Sequence, residues 1–186
     1  LGHSEGSLIA MLTAQRDANV SSYVSLEGAG MNGADALKSQ LTPPRLPVEY
    51  VAQVDADLDS LRGGKTVSAL QTPYPTLNAL FRASVQPYLI SWFKYDPAQE
   101  IAKLRVPILI VQGTTDLQVG VNDAKRLASF NPKAQLVLID GMNHVLRDAP
   151  ADMAQNFATY SQPALPLAAK ATSSVADFIK SHGMQK

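Results

Sequence analysis

Gly2-His3-Ser4-Glu5-Gly6 sets a serine between two glycines at the spacing G-x-S-x-G, the pattern of a sharp strand-to-helix turn that lifts a hydroxyl into the open at a helix N-terminus. A serine held in such a turn has a strained backbone, so the residues two positions away on either side are expected to lack side chains. Serine is a poor nucleophile at its ordinary pKa. It needs a base to take its proton and an acid to orient that base. Both occur downstream, in Gln112-Gly113-Thr114-Thr115-Asp116 and in Gly141-Met142-Asn143-His144. The chemistry open to Ser4, His144 and Asp116 is nucleophilic acyl transfer, with the backbone N–H of Glu5 turned toward a developing oxyanion and the helix dipole behind it.

Other residues compete for these roles. Ser4 is also a favoured helix N-cap. Asp123, Asp148 and Asp140 are rival acids to Asp116. Of the three histidines, His3 reads as packing beside the nucleophile and His182 as a surface residue near the C-terminus. They lack a close pair such as H-x-x-x-H, and there is no cysteine, so no metal site, thiol chemistry or disulfide is expected, and no cofactor is called for. Glu5 reads equally well as a buried structural carboxyl and as a contact for a substrate amine.

These residues must be positioned by the elements between them. Apolar residues from Ser4 to about Arg16 are dense enough for a helix packed on more than one side. Ser22 to Leu26 reads as a strand running into Gly28-Ala29-Gly30. Val106 to Val111 and Ala134 to Ile139 are aliphatic runs of the kind found in parallel strands covered on both faces. Asp116 and His144 follow them directly, at the carboxyl edge where ligands gather in open α/β sheets. Val121 to Phe130 has helical spacing, with Asn122 and Asp123 as candidate caps, and a last helix is expected over Ser173 to Lys180. The alternation predicts an α/β fold with about three parallel strands.

Residues 31–86 differ in character, with five prolines, the pair Gly63-Gly64 and amphipathic pieces such as Val48 to Leu61. They are expected to form a helical insertion, a cap, in a core made of residues 1–30 and 87–186. Pro87 can begin a helix. Tyr88 and Trp92 after it are candidates for a substrate pocket wall, and Trp92, Phe93 and Tyr95 read as core or pocket rather than as a stacking platform for bases.

Composition narrows the partners. The 186 residues carry 16 basic and 16 acidic side chains, 46% apolar and 17% charged, so no electrostatic case for nucleic acid exists. No apolar run approaches the roughly 18 residues of a membrane helix, and no membrane partner is expected.

The five segments Gly-His-Ser-Glu-Gly, Leu26-Glu27-Gly28-Ala29-Gly30, Trp92-Phe93-Lys94-Tyr95-Asp96-Pro97, Val111-Gln112-Gly113-Thr114-Thr115-Asp116 and Gly141-Met142-Asn143-His144 resemble the landmarks of the α/β-hydrolases, in particular bacterial carboxylesterases and the serine-aminopeptidase-like group. The order Ser…Asp…His is also theirs. The resemblance implies a serine esterase acting on a small ester through an acyl-enzyme, with an aminopeptidase or amidase as the alternative. It also implies that the cap sets the substrate, and that further strands, with the loop carrying a second oxyanion donor, precede the elbow. The chain begins without Met and reads as starting in the middle of that fold. The expectation is therefore a fragment that pairs at an exposed strand edge with its N-terminal half or a second copy. Alone it would be catalytically weak or a non-catalytic assembly module, since one oxyanion donor is worth about 3 kcal/mol of barrier. Compartment is left unassigned, because any leader would lie upstream.

Overall fold

The structure, a computed structural model, describes residues 1–182. The chain divides into two compact units, one formed by Leu1–Met31 with the described residues from Pro97 onward, the other by Asn32–Asp96.

In the first unit, four parallel strands lie in the order β1 (Gly2–His3), β2 (Tyr23–Leu26), β3 (Ile108–Gly113) and β4 (Gln135–Ile139). The strand beyond the expected three is β1. Two residues are too few to show an alternation in sequence, yet Gly2 aligns with Ser25 and His3 with Leu26. Every residue of β3 is buried, as its unbroken aliphatic run requires. On one face, Ala171 and Phe178 of α9 (Ala169–His182) pack with Val24, Leu26, Leu109, Val111 and Ile139. Ile108 and Ile110 alternate with these and point the other way. Helices α1 (Glu5–Arg16) and α7 (Val121–Phe130) contact β2 and β3, and α6 (Pro97–Ile101) packs between those two helices.

Helix α1 buries Ser7, Leu8 and Met11, while Ile9 is 58% exposed, so one face is covered rather than the several expected. A hydroxyl network ties that face to the sheet: Ser7 Oγ meets Tyr23 OH at 2.6 Å and Ser25 Oγ at 2.8 Å. Gly28 lies against the same network, where a Cβ would fall 2.3 Å from Ser7 Oγ. Helix α7 is capped at Gly120 rather than at Asn122 or Asp123. Asp123 sits one turn inside, and its carboxylate accepts the N–H groups of Gly120 (3.2 Å) and Gly30 (2.9 Å). The helix stops at Asn131, whose side chain turns to the carbonyls of Ile101 and Leu104. Helix α8 (Met153–Ala158) falls in the stretch rich in Pro and Ala that follows His144, and α9 starts earlier than the expected Ser173 because the alanines after Pro166 favour helix.

The second unit is helical: α2 (Gly33–Gln40), α3 (Val48–Arg62), α4 (Pro75–Leu80) and α5 (Gln86–Trp92). Val54, Leu58 and Leu61 recur on one face of α3 and pack with Leu77, Phe81, Leu89 and Phe93. This unit runs to Asp96, beyond the expected limit at Gln86, because Leu89 of α5 and Phe93 just after it join its core. Pro75 and Pro87 stand at helix starts, where a missing N–H costs nothing. Among the described residues no helix is long and apolar enough to cross a membrane.

Candidate active site

Ser4 lies between β1 and α1 at φ 54 and ψ −126, a backbone conformation few side chains tolerate. Two features impose it. Strand β1 must end at once, its Ser4 N–H still bonded to the Leu26 carbonyl at 2.9 Å, and α1 must begin at Glu5. Gly2 permits this closeness, since a Cβ there would lie 2.0 Å from the Gly6 carbonyl oxygen. The second glycine of the motif differs from expectation: a Cβ on Gly6 would meet no atom within 4 Å. Among the described residues nothing gives it a steric reason.

Asp116 follows β3 and His144 follows β4, and their loops are joined by main-chain bonds. Thr114 N–H reaches the Ile139 carbonyl at 3.0 Å, and Thr115 N–H reaches that of Met142 at 3.1 Å. Gly113 makes room for the second contact, because a Cβ there would stand 2.0 Å from Met142 O. Asn143, fully buried, accepts the N–H groups of Val145 and Arg147 and donates to Thr159 Oγ1 at 2.7 Å, which shapes the turn carrying His144.

The three side chains meet. His144 Nδ1 is 2.7 Å from Asp116 Oδ2, and His144 Nε2 is 3.1 Å from Ser4 Oγ. An ionised carboxylate only accepts, so the proton of the neutral ring belongs on Nδ1 and leaves Nε2 to accept from the serine. The Asp116 side chain is buried, and its Oδ1 accepts the N–H groups of Gln118 (2.7 Å) and Val119 (3.0 Å). Burial opposes its ionisation. Hydrogen bonds from His144, Glu27 and Val119, with attraction to His144, outweigh that and hold the carboxyl below its ordinary range.

The rival acids are engaged elsewhere. Asp123 binds Gly30 and Gly120, Asp140 accepts from Thr114 Oγ1 at 3.0 Å, and Asp148 is exposed. His3 packs beside the imidazole, ring centroids 4.9 Å apart, and its Nε2 lies 2.7 Å from the His144 carbonyl oxygen, to which it donates. Burial lowers its pKa, partly offset by that bond, which favours a neutral ring carrying its proton on Nε2. Burial pushes the Glu5 carboxyl up. His182 lies at the end of α9, its ring against Phe178. Tyr88 and Trp92 stack in the helical unit at 6.2 Å, Tyr88 exposed. Among the described residues no group of three His, Asp or Glu side chains is placed to hold a metal.

One residue of the site escaped the sequence reading. Glu27, at φ 47 directly after β2, is buried against Gln112, Gly113 and Asp116. The signal was available, because Glu27 follows a strand at the same carboxyl edge that marks Asp116.

No protein-family model matches the sequence, and no curated protein matches it. Solved structures do. An α/β-hydrolase enzyme from the metagenome of lagoon sediments at Mar Chica, Morocco, aligns at 16% identity with a TM-score of 0.51, over 98% of this chain and 61% of that one. The esterase Pf2001 of Pyrococcus furiosus aligns at 15% identity and TM-score 0.50, over 97% and 52%. The enol-lactonase of Burkholderia xenovorans aligns at 17% and 0.50, over 96% and 64%. The chain therefore has part of an α/β-hydrolase fold, and it spans about half to two-thirds of the length of the structures it matches.

Proposed function

We propose that the chain carries the triad of a serine hydrolase that cleaves carboxylic esters. The observation behind this reading is the hydrogen-bonded line Asp116–His144–Ser4, 2.7 and 3.1 Å, with Ser4 raised at the start of α1. Ser4 Oγ attacks the ester carbonyl while His144 Nε2 takes its proton. Asp116 stabilises the imidazolium without becoming protonated. The oxyanion forms beside the first turn of α1, where Glu5 N–H and the helix dipole act on it. Collapse of the intermediate expels the alcohol, which takes the proton from His144 and leaves Ser4 acylated. Water, deprotonated by His144, then attacks the acyl-enzyme and releases the acid. Similarity of fold to an esterase and an enol-lactonase supports an ester-type substrate. Strand β1 stands at the end of the sheet, which supports pairing there with an N-terminal half, which would bring the second oxyanion donor, or with a second copy.

The test is labelling by a fluorophosphonate probe together with hydrolysis of p-nitrophenyl esters, on the chain and on Ser4→Ala. Labelling confined to Ser4, and at least a thousandfold loss of turnover in the variant, would support the reading. Turnover unchanged in Ser4→Ala would end it.

A further inference from the structure

The carboxyl group of Glu27 has no role in the steps above, yet it is 0% exposed and lies against the acid of the triad. Its Oε1 accepts the Gly113 N–H at 2.8 Å, and its Oε2 accepts from Gln112 Nε2. The same Gln112 nitrogen donates its other hydrogen to the Val119 carbonyl at 2.9 Å and lies 3.4 Å from Asp116 Oδ2, so both carboxyls stand around one amide. The charged or titratable group facing Glu27 is Asp116, itself bonded to His144; no lysine or arginine among the described residues acts on it. Two buried carboxyls in contact cannot both be ionised without a cation between them. Asp116 has the N–H groups of Gln118 and Val119 and the His144 ring to hold its charge. Glu27 is left as the one that keeps a proton, and a protonated carboxyl bonded to a carboxylate must be the donor.

Resting on the ester-hydrolase reading, we propose that Glu27 is a positioning residue: held as the neutral acid, it donates a hydrogen bond to Asp116 and fixes that carboxylate for His144. Burial, then the hydrogen bond and repulsion from Asp116, push its pKa up to about 10. A donor at this point draws off part of the Asp116 charge, so Asp116 remains the acceptor when His144 becomes imidazolium. The neighbouring chemistry is thereby protected from a second negative charge.

The experiment compares the chain with Glu27→Gln, which keeps an uncharged donor, and Glu27→Ala, which has none. Infrared spectra of protein with 13C-labelled glutamate should show a protonated carboxyl band at pH 7 that is absent from Glu27→Gln. The rate of fluorophosphonate labelling of Ser4 should have its acidic limb moved up by roughly one pH unit in Glu27→Ala and unmoved in Glu27→Gln. Labelling of the unmodified chain should fall toward pH 10 while that of Glu27→Gln does not. Should Glu27→Ala fail to fold, that alkaline contrast carries the kinetic test. Absence of the band, or alkaline profiles that coincide, would overturn the proposal. If Ser4 does not label at all, the hydrolase reading fails, and the band alone decides whether Glu27 is the neutral donor to Asp116.

Discussion

Replacing Gly2 by alanine would put a methyl carbon 2.0 Å from the Gly6 carbonyl oxygen, 2.4 Å from its carbon and 2.7 Å from Ser7 Cα. All three atoms are main chain of α1, so no side chain can swing aside. Ordinary contact lies at 3.4 Å or more, so α1 or β1 must shift by over 1 Å. Such overpacking costs about 3 kcal/mol. The shift also displaces Ser4, which hangs between the two elements, and a 1 Å error in a reacting group can cost about a hundredfold in rate. Gly6→Ala, made at the other glycine of the same motif, meets open space and gains about 1 kcal/mol of helix propensity. Urea unfolding and fluorophosphonate labelling of both variants should therefore differ in sign for stability and by about two orders of magnitude in rate. Equal losses in the two variants would refute the reasoning, and would mean that another surface covers the first turn of α1.

His3→Phe keeps the ring contact with His144 and removes the donor to its carbonyl, leaving a buried acceptor unpaired at a cost of about 1–3 kcal/mol. Turnover should drop with KM little changed, and an equal fall in both would argue against His3 holding the His144 turn in place. Stability should depend on pH from both carboxyls. Asp116, held below its ordinary 3.8, stabilises the fold above that value and loses this as pH falls through its lowered pKa. Glu27, raised from 4.5 to about 10, contributes fully below its ordinary value and loses it as pH rises toward 10. Its share of the decline is at most about 1.4 kcal/mol per pH unit. Urea midpoints at pH 6, 7, 8 and 9 should therefore fall for the unmodified chain and stay level in Glu27→Gln; coincident curves would contradict the buried proton.

The residues of the line Asp116–His144–Ser4 were legible in sequence, because each is tied to a local signal. Ser4 sits in a turn that needs a residue without a side chain at Gly2, and Asp116 and His144 each follow a short aliphatic run that reads as a strand, although the second, Gln135–Ile139, is only partly covered once folded. The α/β class followed from the same runs. What stayed hidden depends on contacts between residues distant in the chain. Strand β1 is two residues long and exists because β2 is there to pair with it. The choice of Asp116 over Asp123 rests on Asp123 being taken up by Gly30 and Gly120. Glu27 looks like any strand-end carboxylate until β2 and β3 lie side by side and press it against Asp116. Sequence determined which groups could react, since chemical type and local backbone are short-range properties. Tertiary structure decided which carboxyl keeps its charge, since burial and proximity exist only once the sheet has formed.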